Sequence, residues 1–434
     1  MKRTKGLVIS WYFPPINSSE GLCTFKLLKN SKFTYDVYTQ KNNKDWSYDT
    51  DETKLVSKNI KTIFSSSFDT NSWVKEGISK LNDKIDDYDF IMSRSMAPES
   101  HEIALELKRK NPNILWVASF GDPIANNPYE KFWYHDSPYT VKGKGVIEQS
   151  LRYVLSPKRV LKNLIWQYRN KTYKRKFTRF YKDKKLQDSV LNECDIIIFN
   201  NKYQMKYMLE GYPEKIIKKG IILPHGYDKS FYENKKKSIS KDKFKISYLG
   251  HLDKIRTPRN FLCALERLKA KKRDLYNMLE IEIYGNMDDE DKVYIVDSNI
   301  CDIVKFKKPV KYFDSLSIMQ NSDLLLLIDA NLGLYIPDNI FYAAKLADYI
   351  GSGSNILGIT MLGGASSDII REIGGVVSSH STEDIYNNLV MILEKKIELH
   401  TLDKYNKYDI ITISNNFDKI ILDKVQNTCG GKNE

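Results

Sequence analysis

The sequence predicts an α/β protein made of two doubly wound parallel sheets in tandem, facing each other across a cleft. Three observations lead there. Near-continuous apolar runs of strand length alternate with helical patterns, as expected of strands covered on both faces. A lysine-rich stretch, NKKKSISKDK at 234–243, interrupts this alternation, which then restarts. A chain of 434 residues is also long for one core and comfortable for two.

The elements follow in order. GLVIS (6–10) opens as a strand and enters WYFPPINSSEGL, a Pro- and Gly-containing loop ahead of the helical CTFKLLKN. YDVYTQ, YDFIMSRS and NILWVASFGDP read as strands, with the helix HEIALELKRK before the last. CDIIIFNN and IIKKGIILPHGYD complete a strand–helix–strand series. Beyond 243, FKISYLG is a strand, and TPRNFLCALERLKA is a helix with Thr257 as N-cap and Pro258 at its first position. LEIEIYG, DIVKF, DLLLLID, NILGI and GGVVS are further strands. YDIITISNNFDKIILDKVQ is a last helix, after the second sheet is complete. The expected division is 1–233, a linker at 234–243, a second domain over 244–400, and a helix over 401–428 packing back on the first domain.

Composition narrows the class. With 41% hydrophobic and 12% aromatic residues, the chain can build packed cores. No apolar run approaches the roughly 20 residues that span a bilayer. The basic N-terminus meets Pro14-Pro15 before its apolar run reaches signal-peptide length. Five scattered cysteines without metal or redox spacing read as reduced thiols, and the expected location is cytoplasmic. Net charge is +13, and the segment 141–185 alone holds 15 basic and two acidic residues. Its helical pattern after Ser156-Pro157 carries Val160, Leu161, Leu164, Ile165 and Tyr168 on one stripe. That combination suits an anionic membrane surface; an ordinary solvated or core helix is the plain alternative. A single strand of nucleic acid is the rival partner, but basicity confined to one insertion argues against it.

Open α/β sheets bind ligands beyond the carboxyl ends of their strands, so loops there are the candidates. Ser18, Ser19, Glu20 and Gly21 head the first helix, where backbone N–H groups suit an anionic oxygen or simply cap the helix. No G-x-G-x-x-G and no Walker lysine occurs. After Gly250, the loop HLDKIRTPRNF supplies Lys254, Arg256 and Arg259; glycine admits a ligand to the backbone and arginine grips phosphate. A helical wheel over 338–350 puts Ile340, Ala343, Ala347 and Ile350 on one face, with Asp338, Phe341, Lys345 and Asp348 opposite. Asp348 and Lys345, three apart, form either a surface pair or part of a site. MDDEDK at 287–292 reads as a solvated helix start rather than a metal loop. Neither H-E-x-x-H nor G-x-S-x-G is present.

In order and spacing these stretches resemble the GT-B glycosyltransferases, specifically the family 4-like bacterial enzymes that build capsular and other surface polysaccharides. FPPINSSEGL is similar to the family's N-terminal Pro-Pro…Gly loop. ILPHGYDKSFY resembles the signature closing the N-terminal domain, with His225 for the usual asparagine. YLGHLDKIRTPRNFLCAL resembles the opening of the nucleotide-binding domain, and AAKLADYIGSGSNILGI the family's PsKLfEYlasGkPil. The resemblance implies a retaining, metal-independent transfer from a UDP- or GDP-sugar to a saccharide or lipid-linked acceptor, with no cofactor. It implies that Arg256, with Lys254 or Arg259, neutralises the donor diphosphate, and that Asp348 stands where a glutamate holds the ribose hydroxyls. Gly21, Gly250 and Lys345 fall in the same donor site. The acceptor would enter past Ser19, Glu20 and the SFGDP loop, with Asp122 as orienting group or proton acceptor. An epimerase of the same fold, or a partner subunit without turnover, are the alternatives. The sequence departs from the family pattern at Ile340, where a second acid stands eight positions before Asp348, and at Asn355, where the pattern has proline.

Overall fold

The structure, a computed structural model, describes residues 3–16, 18–41, 52–67, 69–130, 172–232, 243–396 and 406–430. The first domain holds a seven-stranded sheet in the order β3-β2-β1-β4-β5-β6-β7. These are β1 (Lys5–Ile9), β2 (Thr34–Thr39), β3 (Ile60–Phe64), β4 (Phe90–Arg94), β5 (Leu115–Phe120), β6 (Ile196–Phe199) and β7 (Gly220–Ile222). The second holds six strands in the order β10-β9-β8-β11-β12-β13: β8 (Phe244–Leu249), β9 (Leu279–Tyr284), β10 (Val304–Lys307), β11 (Leu324–Ile328), β12 (Asn355–Ile359) and β13 (Val376–Ser378). Neighbouring strands pair in parallel, as β1 with β4 and β8 with β11 show.

The strands read from apolar runs are all present. β3 is an addition that the apolar pattern does not reveal. It is an edge strand, and Lys61 and Phe64 on it are exposed, so it lacks the unbroken run of a strand covered on both faces. The helix after Thr257 begins at Arg259 rather than Pro258; Thr257 still serves its first turn, accepting from the Arg259 N–H at 3.1 Å. The linker expected at 234–243 lies outside the described residues except for Lys243. The insertion at 141–185 does too, apart from the start of the helix Thr172–Glu193.

The helix Ile410–Gly430 lies against the first domain. Ile410, Ile413, Phe417 and Ile421 enter the core formed by Val8, Phe25 and Phe90. Ser414 Oγ donates to the Leu27 carbonyl at 3.0 Å, and the Lys32 N–H to Asp418 at 2.7 Å. The C-terminal segment thus ties the second domain back to the first. Among the described residues no helix is long and apolar enough to cross a membrane.

Strand order reverses between β1 and β4 in one sheet and between β8 and β11 in the other. Such switch points open a crevice at the carboxyl ends, and here the two crevices meet.

Candidate functional site

A cavity of about 490 Å³ lies where they meet. One wall is a face of the helix Ser19–Lys29, with Ser19, Leu22, Cys23 and Lys26 at helical spacing. The other comes from the second domain: Gly250 after β8, Gly285 after β9, and Lys345 and Asp348 on the helix Ala344–Ser352. Gly250 and Gly285 have φ of +134° and +138°. A Cβ on Gly285 would strike the Gly250 carbonyl, and one on Gly250 would strike Lys345 Nζ. Only glycine lets the two strand ends pack this closely and leave room above them.

That helix does not start where the wheel over 338–350 placed it. Residues 338–343 are engaged sideways: Asn339 N–H donates to Gly363 O at 3.0 Å and Ala365 N–H to Asn339 O at 2.8 Å. Asn339 Nδ2 also donates to Asp329 at 3.1 Å. Backbone groups bonded to the loop after β12 cannot also close i→i−4 bonds, so the helix begins at Ala344, at the cavity wall. It ends at Gly353, which takes the left-handed conformation with φ +71°. Ile340, at the position of the family's second acid, is buried in an apolar cluster with Ile255, Ile336 and Phe341. Its carbonyl accepts from Asn201 of the first domain at 2.9 Å. The departure at that position therefore faces interdomain packing.

Asp348 and Lys345 do not pair with each other. Asp348 is 7% exposed, and its Oδ1 lies 2.9 Å from Lys26 Nζ and 3.0 Å from Tyr312 Oη. Burial works against the Lys26 charge, yet the Asp348 carboxylate holds its ammonium above the ordinary lysine range. Lys345 Nζ instead meets Tyr248 Oη at 3.1 Å and sits 4.5 Å from that ring's centroid. Burial, reinforced by the Arg256 charge, depresses Lys345 to about 7.

Arg256 stands beyond Lys345. Its N–H and guanidinium are oriented by Asp253, at 2.9 and 3.3 Å, and Nε has no hydrogen-bond partner among the described residues. Its charge is felt by Lys345, Asp329 and Asp122, while Arg256 itself is not part of the cavity lining. Arg259 turns elsewhere: it pairs with Asp291 at 2.8 Å and lies over the Tyr294 ring. Asp291, read as part of a solvated helix start, is buried by this contact. Lys254 is exposed.

On the first domain, Arg94 at the end of β4 reaches Glu20 at 2.7 Å and Ser119 at 2.9 Å. Burial raises Glu20, against the pull of Arg94. Gly121 is locked by Ser95 Oγ at 2.7 Å on its N–H and by Asn200 and Gln204 at 2.9 Å on its carbonyl. This presents Asp122, which burial and the Glu20 charge lift to about 7 against Arg94 and Arg256. Gly21 lies under the backbone of Tyr12 and Phe13, where a Cβ would come within 3.1 Å. Its role in the structure is close packing of the loop on the helix. His225 is buried beside Tyr342, and burial with the Arg94 and Lys26 charges keeps it neutral.

Sequence reasoning did not pick out Lys26, Arg94 or Tyr312. A lysine amid TFKLL and an arginine ending the apolar FIMSR were the available signals: charges set in runs that are otherwise buried.

No family model and no curated protein matches this sequence. Solved structures do match its fold along almost the entire chain. A sucrose-phosphate synthase from Thermosynechococcus elongatus aligns at 12% identity with a TM-score of 0.67, covering 98% of this chain and 100% of that one. The lipopolysaccharide outer core galactosyltransferase WaaB aligns at 10% identity and 0.58, over 97% and 100%. A UDP-GlcNAc 2-epimerase from Neisseria meningitidis bound to UDP-GlcNAc aligns at 11% and 0.53, over 97% and 100%. With its two facing parallel sheets, the chain has the GT-B fold.

Proposed function

We propose that the protein is a glycosyltransferase that moves a sugar from a nucleoside-diphosphate sugar to a saccharide or lipid-linked acceptor of a surface polymer. The observation carrying this reading is the interdomain cavity. A glycine-lined floor, a lysine and a carboxylate lie on the second domain's side, and Ser19, Cys23 and Lys26 of the first domain's helix face them; Glu20 of the same helix pairs with Arg94. Glycines admit a diphosphate to the backbone, Lys345 and Arg256 balance its charge, and Asp348 accepts from ribose hydroxyls. Asp122 receives or orients the acceptor hydroxyl, past Ser19 and Glu20. Transfer is retaining and metal-independent in this proposal, and the basic insertion 141–185 holds the enzyme at the inner face of an anionic membrane.

A panel of UDP- and GDP-sugars, scored for binding and hydrolysis, tests the donor assignment, with Arg256→Ala and Asp348→Ala as controls. Selective binding by the wild type and loss in both variants is expected; no selectivity, or unchanged binding in both variants, would sink it. The epimerase fold match motivates a second reading. Inversion at a single sugar carbon without any acceptor would decide for that one.

Lys345 gives this reading a pH signature. A lysine at about 7 is half neutral in the free protein at neutral pH, whereas a bound diphosphate favours its ammonium. Nucleotide binding should therefore take up a proton near pH 8, and affinity should fall as pH rises above 7. Calorimetry in buffers of different ionisation enthalpy measures the uptake; Lys345→Met should abolish it. Identical uptake in that variant would remove Lys345 from the phosphate site.

A further inference from the structure

Lys26 is 1% exposed on a helix whose neighbouring side chains are apolar. A charge so placed needs a partner, and the partner comes from the other domain. Asp348 Oδ1 takes both available donors, Lys26 Nζ at 2.9 Å and Tyr312 Oη at 3.0 Å. Tyr232 Oη, in the chain leading out of the first domain, donates to the Asp348 backbone carbonyl at 2.9 Å. Oδ2 has no hydrogen-bond partner among the described residues, and Asp348, Lys26 and Tyr312 all line the cavity.

We infer that Lys26 and Tyr312 are positioning residues for nucleotide recognition. By saturating Oδ1 they aim Oδ2 at the vicinal hydroxyls of a nucleoside diphosphate's ribose. This rests on the nucleotide-sugar reading of the cavity and adds to it that ribose is read jointly by both domains. An aspartate has few torsions to freeze, and two donors on one oxygen freeze them before the ligand arrives. Such preorganisation strengthens the bond made by the remaining oxygen. Lys26 acts through Asp348 and needs no contact with the nucleotide.

The test compares UDP with 2′,3′-dideoxy-UDP by calorimetry, using the GDP pair if the wild type selects guanine. The wild type should prefer the hydroxylated ligand by on the order of tenfold, one charge-assisted hydrogen bond's worth. Lys26→Met and Tyr312→Phe should each bring the ratio towards one while leaving the dideoxy affinity nearly unchanged. Should Lys26→Met fail to fold by circular dichroism, Tyr312→Phe decides by the same ratio. No preference in the wild type, an unchanged ratio in the folded variants, or equal loss for both ligands overturns the inference. Arg256→Ala separates the two levels. If it weakens both ligands alike while the Lys26 and Tyr312 variants keep the wild-type ratio, the cavity reading stands and only the positioning role falls. Absence of binding by either diphosphate removes both.

Discussion

Arg256→Ala should lower the transfer rate by roughly 10²–10³, the usual effect of removing a preorganised donor at developing charge. The guanidinium is already aimed by Asp253 through one backbone and one side-chain bond, and its Nε has no hydrogen-bond partner among the described residues. A leaving diphosphate would complete that set. Arg256→Lys should recover little, because an ammonium keeps the charge but not the fork geometry. Single-turnover rates at saturating donor measure the loss. A variant with wild-type turnover would place the diphosphate elsewhere. Arg259→Ala is the internal contrast, since that side chain is committed to Asp291 and Tyr294.

Asp122→Asn should cost about 10²–10⁴ if the carboxylate takes the acceptor's proton. Wild-type turnover should climb with pH and level off near 7, where the half-buried Asp122 loses its proton; the residual rate of the variant should lack that inflection. Stability supplies a separate readout. Between the ordinary value of 3.8 and about 7 the folded chain holds a proton that the unfolded chain has released. The stability contributed by this group therefore falls as pH rises through that window. Asp122→Asn should be at least as stable as wild type at pH 8, so lost activity there is not lost folding. Full activity in Asp122→Asn would leave the residue without a chemical role.

Local pattern was a reliable guide where burial is uniform. The central strands β8, β11 and β12 are each written as an apolar run, and covering on both faces is what produces such runs. β3 escaped because an edge strand is half exposed. The start of the helix at Ala344 escaped for a different reason: Asn339 spends its backbone bonds on the loop after β12, a competitor that a helical wheel does not contain. Arg256 was singled out as a charged group just past a strand end, where the fold class puts ligands, whereas Asp122 entered only through the family resemblance.

Asp348 marks the boundary between the two kinds of knowledge. By sequence it stood three residues from Lys345, and a surface pair was the simplest account. Its partner is Lys26, 322 positions away on the facing domain. Periodicity and apolar run length are set by neighbours within a turn or a strand, so the sequence alone determined two tandem parallel sheets and the crevice at their strand ends. Which charges meet in that crevice was decided only by tertiary structure. An ion pair between domains depends on how two separately folded sheets are held together, and no local spacing encodes that.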